Sequence, residues 1–368
     1  MNITNLELNN FRNYKKLKLK DLAKTNVIIG KNGIGKTSIL ESIYVLCLAR
    51  SFKSNIELNL IKLDSEYLKI KGDILSNSKI KKLEYFLSKS GKKTKINNVL
   101  KKKISDFISQ YKVILYAPDE VKFIKDSPSN RRSYINISLS QLNKSYIKLL
   151  NDYNVLIKNK NDYYKKLYIN SFIDESYLDV LDLKISELGY MIYKSRRDFI
   201  DKINNYLKKI CRKLKLGDKI NLNYVSQFNN LNENDFIKLL KKNRKKEIQQ
   251  GITKTGIHRD DFEFLLDDKI VKDYCSQGVQ KMVMLAFKLA EMEVLIKDYY
   301  EQPILLLDDL FSELDEKNQN IILENLNKDI QIFITTTDIN NIKKNILKSA
   351  KVIDLDRMVE RWKMKIME

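Results

Sequence analysis

The chain carries the octapeptide Gly30-Lys31-Asn32-Gly33-Ile34-Gly35-Lys36-Thr37 between an apolar run, predicted to be a strand, and a helical pattern of apolar residues. It matches the pattern G-x-x-x-x-G-K-[S/T]. Glycines in such a loop let successive backbone N–H groups point at phosphate oxygens, and the following helix adds the positive end of its dipole. The chain has ten glycines in 368 residues, and three of them stand in these eight positions. The segment therefore predicts a phosphate-binding loop on an α/β fold.

Individual residues of this loop have predicted roles. Lys36 can reach the β- and γ-phosphates of a bound nucleotide, and the Thr37 hydroxyl can ligate Mg²⁺. The predicted cofactor-binding residues of the segment are Gly30, Lys31, Asn32, Gly33, Ile34, Gly35, Lys36, Thr37 and Ser38. A nucleotide and Mg²⁺ are therefore the predicted ligands.

A second segment carries side chains suited to catalysis. It is Ile304-Leu305-Leu306-Leu307-Asp308-Asp309, an apolar strand that ends in two carboxylates. Taken alone, it also suits a buried strand followed by a solvated acidic turn. The phosphate loop favours the interpretation in which Asp308 holds Mg²⁺ through water and Asp309 orients the attacking water molecule. Lys36, Asp308 and Asp309 are thus predicted catalytic residues.

The charge of the chain favours polyanionic partners. Its 68 basic and 47 acidic residues give a formal net charge of +21, which indicates nucleic acid first and anionic lipid second. An alternative source of this excess is the abundance of Lys, Asn and Ile along the whole chain. Two dense basic runs, residues 79–103 and 238–246, are each either a solvated face or a surface that follows phosphates.

Cysteine and histidine usage excludes several kinds of site. Cys47, Cys211 and Cys275 are scattered, which excludes a zinc ribbon and suits a reducing compartment. His258 is the one histidine of the sequence, so a multi-histidine metal site is excluded. We expect no leader segment and no membrane helix, because no apolar run approaches the roughly 20 residues that a crossing needs. The predicted location is the cytoplasm.

The order of periodic patterns predicts one α/β unit that is split by a helical insert. Alternating apolar residues predict strands in the first part of the chain, and three- and four-residue spacing predicts helices between residues 131 and 246. The pattern is mixed again towards the C-terminus. The predicted domains are 1–130, the N-terminal part of the nucleotide-binding lobe, 131–250, a compact all-helical lobe, and 251–368, the C-terminal part of the nucleotide-binding lobe.

Three further segments resemble motifs of ABC-type ATPases. Ser276-Gln277-Gly278-Val279-Gln280 is similar to their signature motif, and Ser312-Glu313-Leu314-Asp315 resembles their D-loop. The usual histidine after the next strand is replaced by Thr335-Thr336-Thr337-Asp338, which makes Thr337 a predicted catalytic residue. By this resemblance Ser276, Gly278 and Gln280 are predicted to bind the nucleotide.

The complete set of motifs resembles the RecF family of DNA replication and repair proteins over about residues 3–340. Besides the motifs above, the resemblance is carried by Asn10-Phe11-Arg12-Asn13-Tyr14, Ala49-Arg50-Ser51-Phe52, Ala117-Pro118-Asp119-Glu120, Ser127-Pro128-Ser129-Asn130-Arg131-Arg132 and Gly256-Ile257-His258-Arg259-Asp260-Asp261. Asp126, Asn136 and Val279 depart from the family pattern. None of these departures stands at a phosphate-contacting position.

The resemblance implies a P-loop ABC-type ATPase head with a mixed sheet, helices and an inserted compact all-helical lobe. It also implies that ATP joins two copies into a homodimer, in which Ser276 and the Gly278 backbone contact the γ-phosphate held by the partner copy. Such a dimer clamps double-stranded, gapped or junction DNA at the nucleoid. RecR, RecO and, indirectly, the RecA recombinase are implied partners, and a membrane is not. Asp309 in place of the glutamate of fast motors predicts slow hydrolysis that acts as a switch.

Several alternatives stay open at this stage. The chain could instead be a nucleotide-binding subunit of a membrane transporter, or a DNA-binding module for which ATP is a structural ligand. Arg12 and Arg50 are each predicted either to contact the nucleotide or to form an internal salt bridge. The cluster at residues 258–261 either braces the structure or lies at an interface, and Arg131 and Arg132 have either a structural or a DNA-binding role.

Overall fold

The computed structural model describes residues 2–76, 79–108, 110–169, 175–217, 219–312, 319 and 329–358. The chain divides into two compact units. The first consists of Met1–Glu120 and Leu285–Glu368, and the second of Val121–Met284. The division differs from the predicted one at both boundaries, and the predicted domains stay a prediction.

Strands occur in both units. Along the chain they are β1 (Asn2–Phe11), β2 (Tyr14–Leu19), β3 (Thr25–Ile29), β4 (Tyr67–Ser76), β5 (Lys79–Ser88), β6 (Gly91–Ile96), β7 (Val99–Leu100), β8 (Val113–Tyr116), β9 (Ile220–Val225), β10 (Asp261–Leu266), β11 (Lys269–Ile270), β12 (Ile304–Leu307), β13 (Gln331–Thr336) and β14 (Lys351–Asp354).

Helices connect these strands and dominate the second unit. They are α1 (Lys36–Leu48), α2 (Ser105–Ile108), α3 (Lys122–Lys125), α4 (Pro128–Leu142), α5 (Lys144–Ile169), α6 (Glu175–Lys213), α7 (Glu233–Gln250), α8 (Val271–Tyr274), α9 (Gln277–Glu293) and α10 (Lys344–Leu347). A turn of π-helix, Val294–Asp298, continues α9. Among the described residues, no helix combines the length and the apolar composition that a bilayer crossing needs.

A parallel sheet in the first unit has the spatial order β14-β3-β13-β12-β8. All neighbouring pairs in it are parallel. Strands β8, β12 and β13 are buried along their whole length, which explains their apolar runs, because a parallel strand is covered on both faces. Since β3, β13 and β12 are parallel neighbours, the segments that follow them begin at one edge of the sheet.

An antiparallel sheet in the same unit has the order β2-β1-β4-β5-β6-β7. Buried and exposed residues alternate along its strands, as in β2, where Leu17 and Leu19 are buried and Lys16 and Lys18 are exposed. One face therefore packs on the core and the other is solvated, as is common for antiparallel sheets. The prediction of a mixed-sheet head is confirmed by these two sheets.

The second unit packs its helices beside a small sheet of order β11-β10-β9. The predicted three- and four-residue apolar spacing is found in α6, where Leu178, Leu181 and Ile185 are buried. Strand β9 was missed by the sequence analysis, because its six residues lie inside a segment dominated by helical spacing. It pairs with β10, which lies about 40 residues further along the chain, and only this long-range pairing defines it as a strand. The insert is therefore not entirely helical.

Buried charges tie three helices of the second unit together. The side chains of Lys160 (α5) and Asp182 (α6) are fully buried, and the Lys160 ammonium lies 2.6 Å from the Asp182 carboxylate. It also lies 3.7 Å from the Glu247 carboxylate on α7. Arg244 of α7 contacts Asp182 at 2.7 Å. A buried charge is tolerated only when it is paired, so these contacts fix the relative positions of the three helices.

Candidate nucleotide-binding site

The phosphate loop follows β3 and precedes α1. Its three glycines have positive backbone φ angles of 156° at Gly30, 80° at Gly33 and 112° at Gly35. A Cβ atom at Gly35 would lie 2.6 Å from the Tyr14 hydroxyl, so this position is restricted to glycine both by its backbone and by its neighbour. The loop backbone is thereby wrapped tightly ahead of the helix N-terminus, which is the arrangement predicted from the spacing of the glycines.

Lys36 lies inside this loop. Its side chain is 7 % exposed, and its ammonium donates hydrogen bonds to the carbonyls of Gly30 at 2.6 Å and Lys31 at 3.1 Å. Burial lowers the pKa of Lys36, and the nearby carboxylates of Asp309, Asp308 and Asp356 oppose this shift. The ammonium is thus held at the centre of the loop, where a phosphate group needs a positive charge.

The acidic pair lies beside the loop, as its position after β12 predicts. Asp308 is buried, and its Oδ1 atom accepts hydrogen bonds from the hydroxyls of Thr37 at 3.0 Å and Thr335 at 2.7 Å. Burial raises the pKa of Asp308, and the hydrogen bonds from Thr335 and Thr37 oppose this shift. A hydroxyl and a carboxylate oxygen in contact are the hard oxygen donors that Mg²⁺ prefers, so these residues fit a magnesium site.

Thr335 is a site residue that the sequence analysis missed. Its hydroxyl donates to Asp308 and accepts the backbone N–H of Asp309 at 2.9 Å. It therefore supports Asp309 in its left-handed conformation, with φ of 50°. Its place at the carboxyl end of β13, between β3 and β12, could have identified it once the strand order was known. Thr337 is exposed beyond the end of β13, and its catalytic role stays a prediction.

Asp356 is a second residue that the sequence analysis missed. It lies just after β14, and its carboxylate accepts the backbone N–H of Lys31 at 3.1 Å. The neighbouring Leu355 contributes its Cβ atom to the surroundings of Gly30. The segment after β14 therefore supports the outer side of the phosphate loop. The remaining predicted loop residues Asn32 and Gly33 are exposed, and Ile34 and Ser38 are half-buried.

Arg12 forms an internal salt bridge, which is one of the two alternatives left open above. Its guanidinium binds both carboxylate oxygens of the fully buried Glu41, at 2.8 and 2.7 Å. It also donates to the Asn59 carbonyl at 2.9 Å. These contacts hold it against α1, so a contact with nucleotide stays a prediction. Arg50 lines a cavity of about 290 Å³ in the same unit, together with Ser51 and Lys92.

The signature-like segment belongs to the second unit. Ser276 and Gly278 are exposed at the start of α9. Gln280 is buried, and its amide donates to the carbonyls of Cys275 at 2.9 Å and Lys272 at 3.3 Å. Gln280 thus supports the loop that presents Ser276, and its predicted contact with nucleotide remains untested. Of the D-loop-like segment, residues 313–315 lie outside the described residues.

The cluster at residues 258–261 lies in a network of ion pairs within the second unit. Arg131 binds both oxygens of Asp261, at 2.7 and 2.6 Å. Arg196, which is 1 % exposed, donates to the Asp260 carboxylate at 2.8 Å. Arg132 donates to the Asp260 carbonyl at 2.8 Å. These contacts join α4 to β10, and α4 and α6 to Asp260 just before β10, and they give Arg131 and Arg132 a structural role.

His258 is held in its neutral form by its neighbours. Its Nε2 atom lies 3.0 Å from the carbonyl of Thr253, which can only accept, so Nε2 carries the proton. Its Nδ1 atom then accepts the hydroxyl of Tyr153 at 2.9 Å. Burial and the positive charges of Arg259, Arg132 and Lys160 lower the pKa of His258 to about 4, and the hydrogen bond to the Thr253 carbonyl opposes this shift.

Because the folded state favours the neutral ring, the stability of the protein is expected to depend on pH between about 6.5 and 4. In this range the unfolded chain binds a proton that the folded chain does not, so stability falls as the pH falls, by about 2–3 kcal/mol. Urea unfolding at intervals of pH measures this slope, and His258→Gln is the matched variant. As the sequence has no second histidine, an equal slope between pH 6.5 and 5.5 in both proteins would contradict the assignment.

Comparison with known proteins defines first a class and then a family. A family model described as "AAA domain, putative AbiEii toxin, Type IV TA system" matches residues 25–339, and the chain belongs to this AAA-domain class. The DNA replication and repair protein RecF of Latilactobacillus sakei subsp. sakei is 36 % identical over 361 residues, which are 96 % of each chain. RecF of Clostridioides difficile is 34 % identical over 364 residues, 97 % of each chain. The chain belongs to the RecF family of DNA replication and repair proteins.

Solved structures agree with this assignment. A structure of the recombination mediator protein RecF with ATP, from the RecFOR pathway, has a TM-score of 0.86 and 30 % identity and covers 93 % of both chains. The SMC head bound to the C-terminal winged-helix domain of ScpA has a TM-score of 0.51 at 17 % identity, covering 96 % of this chain and 93 % of that one, and shows a shared fold alone. The predictions of the family, the head fold and a role in DNA repair are confirmed, and the transporter alternative finds no support.

Proposed function

We propose that this chain is an ATP-dependent DNA-binding ATPase that uses nucleotide binding to control its association with DNA. The observation that carries this proposal is the convergence of Lys36, Thr37 and Asp308 at one edge of the parallel sheet, from segments about 270 residues apart. The RecF structure with ATP supports the identity of the nucleotide. ATP and Mg²⁺ are therefore the proposed ligands.

Binding relies on the loop and on the two oxygen donors beside it. The wrapped backbone of residues 30–37 presents N–H groups and the N-terminus of α1 to the phosphates, and Lys36 supplies the positive charge. Thr37 and Asp308 would hold Mg²⁺, which neutralises charge on the phosphate oxygens when it is bound. The hydrogen bond between these two side chains holds their oxygen atoms side by side, where both could bind one Mg²⁺ ion.

For hydrolysis, Asp309 is the proposed residue that orients the attacking water. The Thr335 hydroxyl accepts its backbone N–H and supports the left-handed backbone of Asp309, with φ of 50°. Aspartate is one methylene shorter than the glutamate found in fast motors, so the carboxylate reaches the water less closely. Thr337 stands where a histidine is usual, and it lacks an imidazole. We therefore propose slow turnover, in which hydrolysis acts as a timed switch.

The exposed signature segment supports an ATP-dependent homodimer. Ser276 and Gly278 lie at the start of a helix of 17 residues, whose N-terminal N–H groups favour an anion. In the proposed dimer this helix start meets the γ-phosphate held by the partner copy. The dimer would clamp gapped or junction DNA, with RecR and RecO as partners and RecA as the recombinase that they help to load. Association with the nucleoid follows from DNA binding.

Sedimentation with and without a non-hydrolysable ATP analogue and Mg²⁺ tests the dimer. The wild-type chain is expected to change from monomer to dimer when the analogue is added, and Ser276→Arg is expected to stay monomeric, because its long charged side chain blocks the interface. Ser195→Arg is the control, since Ser195 lies on α6 of the same unit and its hydroxyl bonds the carbonyl of Met191 within that helix. A wild-type chain that sediments as a monomer with analogue and Mg²⁺ would refute the proposal.

A further inference from the structure

The solvated face of the antiparallel sheet carries its charges in rows that run across the strands. In one row the cross-strand neighbours alternate in sign. Its members are Lys18, Glu7, Lys71, Glu84 and Lys95. Ion pairs join Lys18 to Glu7 at 3.3 Å, Lys71 to Glu84 at 3.8 Å and Lys95 to Glu84 at 3.5 Å. This row is therefore largely neutralised by its own members.

The adjacent row, two residues along each strand, has a different character. We call it the platform row, and its members in order across β2, β1, β4, β5 and β6 are Lys16, Asn9, Lys69, Phe86 and Lys93. It contains three lysines and no acidic residue. Within the described part of the chain, these three lysines form no ion pair. The platform row thus carries three positive charges that are free to meet an anion.

The spacing of these charges suits a nucleic-acid backbone. Adjacent strands lie about 4.8 Å apart, so lysines on every second strand stand about 10 Å apart and the row spans about 19 Å. An extended single strand of DNA that crosses the sheet can present phosphates to all three. The charge of the row is complementary to that backbone over its full length.

Aromatic side chains lie in the same region of the sheet. Phe86 of the platform row stacks on Tyr67 of the neighbouring strand, with ring centroids 5.6 Å apart and an angle of 22° between the ring planes. Tyr67 is 42 % exposed, and Phe86 is half-buried. Exposed aromatic rings beside lysines are the features on which unpaired bases stack, whereas a duplex keeps its bases paired and stacked internally. The aromatic pair therefore favours a single strand over a duplex.

We infer that the platform row, with Tyr67, is a binding site for single-stranded DNA. Lys16, Lys69 and Lys93 bind phosphates of the same strand, and the pair formed by Tyr67 and Phe86 stacks on a base. This inference rests on the proposed DNA-binding function and adds where one strand of a gapped or junction substrate is held. It also assigns different roles to lysines of the basic run at residues 79–103: Lys93 binds DNA, whereas Lys95 forms an ion pair with Glu84.

A salt series with a fluorescent oligothymidine of about 15 nucleotides tests the phosphate contacts. The protein is used without nucleotide, so that loss of ATP-dependent dimerisation leaves the assay unaffected. Replacing the three lysines (Lys16→Ala, Lys69→Ala, Lys93→Ala) is expected to reduce the slope of log affinity against log salt by about 2, since each phosphate contact on a single strand contributes about 0.7.

The matched control removes three exposed lysines of α5 (Lys158→Ala, Lys165→Ala, Lys166→Ala), which changes the net charge equally. Its slope is expected to equal that of the wild type. An unchanged slope in the platform variant, or an equal loss in the control, overturns the inference. Neither result bears on the dimer, which sedimentation measures separately.

Phe86→Leu distinguishes a single strand from a duplex. It is expected to weaken oligothymidine binding by about tenfold, because stacking of one base is lost, while binding of a duplex of the same length changes by less than about twofold. Circular dichroism and the unfolding midpoint verify that the variant is folded. Equal weakening for both probes, or weakening for the duplex alone, overturns the inference.

Discussion

Replacing Lys36 by methionine is expected to lower the rate of ATP hydrolysis by about 100- to 1000-fold, the usual effect of removing one preorganised charge from a site that stabilises developing negative charge. Methionine keeps most of the length of the side chain but has neither the ammonium nor its hydrogen bonds to the carbonyls of Gly30 and Lys31. Phosphate release and nucleotide affinity, measured on the same preparation, report the effect.

Lys31→Met is the matched control for this experiment. It lies in the same loop and removes the same charge, but its side chain is exposed, and the contact with Asp356 is made by its backbone N–H, which the substitution retains. Hydrolysis by this variant is expected to stay within about threefold of the wild type. If both variants lose activity equally, the charge of the loop as a whole matters and the central position of Lys36 does not.

Lys36→Met also separates the switch from the alternative in which ATP is only a structural ligand. A switch predicts that ATP-dependent dimerisation and DNA binding are lost together with hydrolysis. A DNA-binding module with a structural nucleotide predicts that both survive in the variant. Sedimentation and DNA affinity of this one variant therefore decide between the two functions.

Replacing Asp182 by alanine is expected to destabilise the protein by about 3–5 kcal/mol, because it removes the fully buried carboxylate that two buried positive charges share. Asp182 lies 2.6 Å from the ammonium of Lys160 and 2.7 Å from the guanidinium of Arg244. The Lys160 side chain is fully buried, so water cannot replace the lost carboxylate. The midpoint of urea unfolding of the whole chain measures the change.

Asp179→Ala provides the comparison, because Asp179 contacts the same Arg244 at 2.6 Å but its side chain is 45 % exposed. An exposed ion pair contributes about 0.2–1 kcal/mol, so this variant is expected to lose no more than about 1 kcal/mol. Similar losses in the two variants would contradict the assignment of Asp182 to a buried, tightly coupled cluster. The double variant Lys160→Met, Asp182→Leu is expected to recover part of the stability, since it removes both charges.

The local spacing of residue types was sufficient to predict those parts of the site that are contiguous in sequence. The wrap of residues 30–37 depends on where glycines stand relative to Lys36 and on the helix that follows, and both are properties of a short segment. Likewise, four apolar residues before Asp308 identify a buried strand, because such a strand requires apolar side chains on both faces. The family could be predicted for the same reason, since its motifs are short and occur in a characteristic order.

Contacts between distant segments could not be predicted in this way. Thr335 acquires its contact with Asp308 from the order of the strands, which puts β13 between β3 and β12. The prediction of Thr337 came from an alignment of motifs, which contains no information on which side chain at the strand end contacts Asp308. Strand β9 was missed because helical spacing surrounds it and its partner β10 lies about 40 residues away.

The sequence by itself determined the phosphate loop, the acidic pair and the membership of the RecF family, because each depends on residue types at fixed short separations. Only the tertiary structure decided that Arg12 binds Glu41, that Asp356 supports the loop, that Lys160 is buried with a partner, and that three lysines share one row of a sheet. These features depend on strand register and on packing between segments far apart in the chain. Register is set by the pairing of whole strands, and no single segment specifies it.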